Sequence, residues 1–584
     1  MLPGITVSLQ QAVERRRAAI EQRHPAWVQM SLDEYFARAA SEFCARDLVV
    51  TDERSWSYAE VDAWSQRLAA GLRRQGLQAG DRVGIIMANY PVVVPLLFAI
   101  WRLGMVAVPI NTLYRADELA YVIAQSRCRF LVVMAQFRER NFVADLDRME
   151  PGWRAGRYER FADLTGIAVD GDAAGVPLRF DALLQGAGSD AATPQVRVGA
   201  RDPADPAIVM YTSGTTGNPK GVLLTHDNLL RCAYTVTYHH AFADARRALF
   251  SLPMYHCYGV IQGLLAGLIV GGAMIAQLKF DPVAMLTAIG RHRASYLMVV
   301  PTMMLALLEE AKKAPHRYDF SSLTAIHNAA APTPVPVWQD IRKTFGCDGV
   351  FTSYGQTETT ALIVGTLPDD PIERVAETQG VPALAGVAGV AALGQRIAEF
   401  KLIDPETGAD CPPGRAGEIC TRGPLNCKGY FERPEETAQL FLSGGWLRTG
   451  DLGVFRDDGY LVLTGRCKDL YKCGGELVSP KEVEDLLSRH AGVSQAYVHG
   501  LPDPRWGEIG CAWVVRAEGC SVAEAELADY LAGNLARFKV PARIHFVSSD
   551  GLPKTGTGKV QKAVLRDRAM ALARDADGRP AGAS

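Results

Sequence analysis

The stretch "YTSGTTGNPKG", Tyr211–Gly221, concentrates groups that bind anions. Gly214, Gly217 and Gly221 let backbone N–H groups turn inward as a nest. Thr212, Ser213, Thr215 and Thr216 add hydroxyl donors, and Lys220 adds a positive charge. The chemistry this implies is a grip on phosphate. The competing reading is a plain hairpin turn, which needs neither four hydroxyls nor a lysine. The loop is not the common nucleotide loop, in which Gly-Lys is followed by Ser or Thr at the start of a helix. Here Lys220 follows Pro219 and precedes Gly221; then come a strand, "VLL", and a helix, "THDNLLRCA", that Thr225 is placed to cap. "GTGKV", Gly556–Val560, has Val where the magnesium hydroxyl belongs and lacks the earlier glycine.

Other short stretches carry isolated chemistry. "SYGQTETT" holds Tyr354, Gly355, Gln356, Thr357 and Glu358. "GWLRTGDLG" presents Asp451 after Gly450, "GRCKD" gives Arg466 and Lys468, and "LPKTGTGKVQK" gives Lys559. Singly, an acid after a glycine is a turn residue and a lysine in a glycine loop is solvated.

The elements that must position these groups alternate in type. "RVGIIMA", "VAVPI", "FLVVMA" and "YLMVV" read as strands, separated by helical "PVVVPLLFAIWRLG" and followed by "PTMMLALLEEAKK". That order predicts an α/β fold of mostly parallel sheets covered by helices. Residues 145–201, rich in Gly, Ala and Asp, read as a loop-rich connection. "PKEVEDLLSRH", "QAYVHGLP", "CAWVVRAEG" and "EAELADYLAGNL" read as a small α+β unit. At 584 residues the chain exceeds one core. The predicted domains are 1–467 and 468–584, the second small and mobile. The tail after Arg568 reads as frayed.

Bulk properties exclude several classes. A net charge of −2 leaves no footprint for nucleic acid or an anionic membrane. The 12 cysteines are scattered without a Cys-x-x-Cys pair, which predicts reduced thiols in the cytoplasm and no zinc site. "QAVERRRAAIEQRH" reads as a charged helix, not a secretion signal. Ala248–Leu278 lacks acids and bases, but Pro253, Tyr255, His256 and Gly271-Gly272 divide it into a loop, a buried helix and a strand, not a membrane span.

In order along the chain, "YTSGTTGNPKGV", "LPMYHCYG", "SYGQTE", "GEICTRGP", "GWLRTGDLG", "GRCKDLYKCGGELVSPKEVE" and "LPKTGTGK" resemble the adenylate-forming superfamily: acyl-CoA synthetases, peptide-synthetase adenylation domains and beetle luciferases. The resemblance spans about Tyr35 to Lys562. It implies that a carboxylate attacks the α-phosphate of ATP, pyrophosphate leaves, and a thiol displaces AMP from the acyl adenylate. The substrate is then its own nucleophile, so the enzyme positions and stabilises charge. By this resemblance Thr212–Lys220 holds the β- and γ-phosphates, Glu358 binds Mg2+, and Thr357 contacts the α-phosphate. Tyr354, Gly355 and Gln356, with Ala330, Ala331 and Pro332 of "NAAAP", flank the adenine. Asp451 holds the ribose and Arg466 the ribose or phosphate. Lys559 is the catalytic lysine and His256 stands beside the acyl pocket, though a satisfied core histidine is the competing reading there. Lys468 is the hinge, and Gly474 and Gly475 mark the face where the CoA thiol enters.

Three features depart from the pattern. "NAAAP" has alanines where the family has a glycine pair. The apolar "QGVPALAGVAGVAAL", after Thr378, reads as a surface loop or a partner contact. About thirty residues precede the family's usual start. The absence of an acid between Phe250 and Phe280 disfavours an amino-acid substrate, because a buried ammonium without a partner costs about 1–3 kcal/mol. The compact stretch from Asp404 to Gly465 favours CoA over a carrier protein as acceptor. The apolar lining segments suit a medium- or long-chain fatty acid, with aryl or cyclic acids as the alternative. A homodimer and an acyl carrier protein remain open as partners, as does a degenerate, non-catalytic homologue.

Overall fold

The computed structural model describes residues 9–185, 201–212, 218–314, 316–331, 333–554 and 560–576. Its contacts divide the chain into two units: Met1–Glu399 with Thr421–Leu447, and Phe400–Cys420 with Arg448–Ser584. The boundary expected at Lys468 lies inside the second unit, in the 3-10 turn Cys467–Asp469.

The first unit is built on two large sheets. In the six-stranded sheet, Arg82–Ile86, Val106–Pro109, Phe130–Met134, Gly166–Asp170 and Pro206–Thr212 run parallel, and Lys220–Thr225 adds an antiparallel edge. All five residues of "FLVVM" are buried, as expected of a parallel strand covered on both faces. The seven-stranded sheet is parallel apart from its last strand, Ser55–Ser57. Helices Pro282–Arg291, Pro301–Lys313 and Val335–Phe345 pack on it around Ile289, Leu297, Leu307, Trp338 and Ile341. Pro301–Lys313 shows why such a segment is helical: proline sits in its first turn, Met304, Leu307, Leu308 and Ala311 recur on one face, and two lysines close the last turn.

The stretch expected as loop from Asp145 to Arg201 contains more. Gly166–Asp170 pairs parallel with Phe130–Met134 at the edge of the six-stranded sheet, and the 3-10 helix Phe180–Leu184 follows. The apolar segment after Thr378 is likewise not a surface loop. Ala383, Ala385, Gly386 and Ala388 are buried. Leu384 N donates to His239 Nδ1 at 3.1 Å, and Arg231 Nη1 donates to Ala388 O at 2.6 Å. Its small residues let the backbone lie close against helix His226–His239. The leading residues gain a place as well. In helix Leu9–Arg23, Val13 and Ile20 are buried, and Arg17 donates to the carbonyls of Tyr238 and His239 at 3.1 and 2.9 Å. A guanidinium thus binds the C-terminal carbonyls of helix His226–His239.

The second unit has a five-stranded sheet in which Val493–Asp503 and Gly507–Arg516 form a long antiparallel hairpin and Arg543–Phe546 adds a parallel strand. Helices Pro480–Leu487 and Glu524–Ala532 bury Val483, Leu487, Leu527 and Leu531 with Val498, Ala512 and Val514. This is the α+β unit read from the sequence. Among the described residues no helix is long and apolar enough to cross a membrane. The apolar run before Leu278 instead forms a buried π-helix, Tyr258–Leu265, and the strand Ala273–Ala276.

Candidate active site

Strands Pro206–Thr212 and Lys220–Thr225 pair so that Thr212 stands opposite Lys220. The two strands are antiparallel arms, and Lys220 opens a strand, not a helix. Ser213, Gly214, Thr215, Thr216 and Gly217 lie outside the described residues. Thr225 caps the following helix: its Oγ1 accepts from Asn228 N, and its own N–H donates to Asn228 Oδ1, both at 3.0 Å.

A second segment, Cys427–Phe431, is strapped along the hairpin's outer strand. Lys428 N donates to Leu223 O, Leu223 N to Gly429 O, and Phe431 N to Gly221 O, at 2.7–3.1 Å. The same strap reaches Glu358: Cys427 N donates to Glu358 O at 2.8 Å, and Tyr430 Oη donates to Glu358 Oε1 at 2.8 Å. The ammonium of Lys220 lies over the Tyr430 ring, 5.1 Å from its centroid. Lys220 and Glu358, distant in sequence, thus meet on opposite functions of one tyrosine. The sequence reading missed Tyr430; its one local signal is the glycine before an aromatic in "CKGYF".

Glu358 sits in the 3-10 turn Thr357–Thr359 and is 9% exposed. Gln356 begins the turn, its N–H donating to Thr359 Oγ1 at 3.1 Å. Thr357 hydrogen-bonds the Cys257 thiol, whose pKa burial pushes up, so that cysteine is a protonated core residue. Gly355 precedes the turn where a Cβ would fall 1.7 Å from Ala361 O, which only glycine avoids. Tyr354 ends strand Ser353–Tyr354 and is buried. In the expected adenine wall, Ala330 and Ala331 are exposed, and Ala330 holds φ at +77°, a left-handed conformation that favours glycine. Pro332 lies outside the described residues.

His256 is half-buried just before the π-helix, its N–H bonded to Pro253 O at 3.2 Å and its ring 4.8 Å from that of Tyr255. Burial lowers its pKa to about 4, so the ring is neutral at pH 7.

The second unit contributes a separate pair. Asp451 and Arg466 stand opposite each other on the antiparallel strands Trp446–Phe455 and Leu461–Arg466, with Arg466 Nε 2.8 Å from Asp451 Oδ1. Asp451 is 6% exposed, which corrects the sequence reading of an exposed turn acid: it is a strand residue whose charge Arg466 compensates. Nearby, Glu418 pairs with Arg448 and accepts from Gly450 N at 3.1 Å, which fixes the residue before Asp451. Gly474 and Gly475, at φ +62° and +90°, form the exposed turn between strands Tyr471–Cys473 and Glu476–Val478. Lys554 and Val560 bridge the neck of the loop that carries Lys559, and Lys559 itself lies outside the described residues.

The first unit thus brings a hairpin lysine and a buried carboxylate together, and the second holds an aspartate–arginine pair. Comparison with known proteins gives the class. The model of the AMP-binding enzymes matches residues 36–431, and that of the AMP-binding enzyme C-terminal domain matches 482–559. The chain belongs to this adenylate-forming family. It is 33% identical to the putative acyl-CoA synthetase YngI of Bacillus subtilis over 92% of this chain and 96% of that one. It is 34% identical to a feruloyl-CoA synthase of Amycolatopsis sp over 88% and 94%. Among solved structures, the anthranilate CoA ligase AuaEII in complex with anthranoyl-AMP superposes with a TM-score of 0.79 at 26% identity, covering 94% of this chain and 99% of that one.

Proposed function

We propose that the enzyme is an ATP-dependent carboxylic acid–CoA ligase that works through an acyl adenylate. The observation that carries this reading is the meeting of Lys220 and Glu358 on Tyr430 at the neck of the phosphate hairpin. It supplies one cation for departing pyrophosphate and one anion for a metal at a single place. Glu358, a single buried carboxylate, fits Mg2+, which takes one or two carboxylates and completes its shell with phosphate oxygens and water. When bound, the ion neutralises charge on the phosphates.

The chain's own residues do the rest. Lys220 and the hairpin hold the β- and γ-phosphates in place as the α-phosphate is attacked. Thr357 donates to the α-phosphate. Asp451 accepts from the ribose hydroxyls, oriented by Arg466. Lys559 places a cation against the α-phosphate and the attacking carboxylate. His256, neutral at pH 7, packs against the acid without adding charge. CoA then displaces AMP, its thiol arriving at the face of Gly474 and Gly475, with Lys468 as the pivot between the half-reactions.

For the acid, the buried apolar π-helix, with the buried Met254 shortly before it in sequence, supports a medium- or long-chain fatty acid. An aryl acid is the second reading. It is favoured by a polar chain beside the π-helix: Tyr258 Oη lies 3.0 Å from His327 Nδ1, and His327 Nε2 lies 2.9 Å from Ser353 Oγ. Pyrophosphate release measured with ATP, Mg2+ and a panel of fatty, aryl and cyclic acids, with and without CoA, tests the proposal. Acid-dependent release with CoA thioester as product is the expected result. No acid-dependent release across the panel overturns it.

A further inference from the structure

The role of Tyr430 goes beyond that reading and rests on it in one respect, that Glu358 is the metal's carboxylate. We propose that Tyr430 is a positioning residue that sets the carboxylate of Glu358 and the ammonium of Lys220 in one fixed arrangement, its hydroxyl orienting the first and its ring face the second.

The physical case begins with charge. A carboxylate meant for a divalent cation must be held in one orientation yet keep its full negative charge. A lysine or arginine partner would orient it and neutralise it together. A neutral hydroxyl orients it and leaves the charge in place. Tyr430 is that donor, at 2.8 Å from Oε1. The ring face offers the matching service to the lysine. A cation–π contact holds an ammonium without supplying a counter-ion, so Lys220 keeps its charge for phosphate.

The backbone around Tyr430 is fixed from three directions. Gly429 holds φ at +120°, and a Cβ there would fall 2.4 Å from Thr437 Cγ2, so the residue before Tyr430 must be glycine. Tyr430 N donates to Thr437 Oγ1 at 2.9 Å. Phe431 O accepts from Gln125 Nε2 at 2.8 Å, and Gln125 in turn accepts from the Tyr211 hydroxyl, one residue before the phosphate loop. An aromatic side chain that only filled space would not require this frame. A side chain that must aim a hydroxyl does.

The test uses the full chain and Mn2+ as the metal probe. Mn2+ binding is followed by electron paramagnetic resonance in the presence of ATP and without any acid, so the readout needs no turnover. Tyr430→Phe keeps the ring and removes the hydroxyl. It is expected to weaken Mn2+ binding about tenfold, the usual cost of losing a partner that orients a metal ligand. ATP binding without metal should stay within about twofold, because the cation–π contact survives. Combined with Glu358→Gln, Tyr430→Phe should add nothing. Thr437→Val, which loosens the backbone of Tyr430 and spares its hydroxyl, should shift Mn2+ binding in the same direction and keeps the test available should Tyr430→Phe fold poorly. Unchanged Mn2+ binding in both variants, or losses that multiply in the double variant, overturns the proposal. Wild-type enzyme that releases no pyrophosphate with any acid, while Tyr430→Phe still weakens Mn2+ binding, would overturn the ligase reading and leave Tyr430's role intact.

Discussion

Asp451 and Arg466 face each other across two antiparallel strands, guanidinium Nε to carboxylate Oδ1 at 2.8 Å. The aspartate is buried and the arginine half-exposed, so the pair fixes where the carboxylate points. Asp451→Asn keeps the shape and removes the charge-assisted acceptor. If Asp451 binds the ribose, the variant should raise the KM for ATP about 10–100-fold, the value of a hydrogen bond to a charged group, with little change in melting temperature. An unchanged ATP dependence in steady-state kinetics would remove Asp451 from the nucleotide site.

Lys559→Ala separates the half-reactions. Losing a cation at the α-phosphate should slow adenylate formation about 10²–10³-fold. Thioester formation from supplied acyl adenylate and CoA should stay near the wild-type rate. A solvated lysine would change neither step, and loss of the CoA step alone would contradict the assignment.

Ala330 stands at φ +77° where the related pattern has glycine. A side chain held in the left-handed region is strained by about 1–2 kcal/mol, and the added unfolded-state entropy of glycine offsets about 0.4–1 kcal/mol of the relief. Ala330→Gly should therefore be neutral or stabilising by up to about 1.6 kcal/mol, the reverse of an ordinary Ala→Gly change. Ala330→Val, β-branched at positive φ, should destabilise. Denaturant midpoints decide; a clear loss of stability in Ala330→Gly would contradict the strain.

A histidine cluster sets an acid limit. His239, His240 and His327 are buried together with Arg246 and Tyr296, beside the half-buried Tyr258. Burial lowers the pKa of His239 to about 4 and of His327 to about 3, from 6.5. The unfolded chain therefore binds more protons than the folded one below about pH 6.5. Stability should fall as pH drops from about 6.5 towards 4, by up to about 1.4 kcal/mol per pKa unit for each group. Denaturant midpoints at pH 7.5 and 5 measure the fall, and His239→Gln should flatten it. Equal midpoints at both pH values, with no change in His239→Gln, would contradict it.

What the sequence made legible follows from how local each signal is. Strands such as Phe130–Met134 announce themselves because a doubly covered parallel strand is apolar at every position. The hairpin lysine, the Thr225 cap and the order of motifs are local as well. Gly166–Asp170 was hidden by its glycine- and aspartate-rich surroundings, since a short edge strand needs only one neighbour. The apolar segment after Thr378 has no period to show that its small residues face a helix. Asp451 read as a turn acid because its partner lies on the next strand. Tyr430 left only the glycine before it as a trace, because its hydroxyl meets a carboxylate 72 positions away. Contacts that join sites, as opposed to elements, lie in the fold and not in any window of sequence.

The bond from Arg17 to the end of helix His226–His239 spans 221 residues of chain. Helix Leu9–Arg23 is synthesised well before the helix end it binds. At about 5–20 residues per second, its apolar face, Val13 and Ile20, waits roughly ten to forty seconds for the carbonyls of Tyr238 and His239 to be made. The two halves of this contact are thus made in a fixed order and joined only once the later one exists.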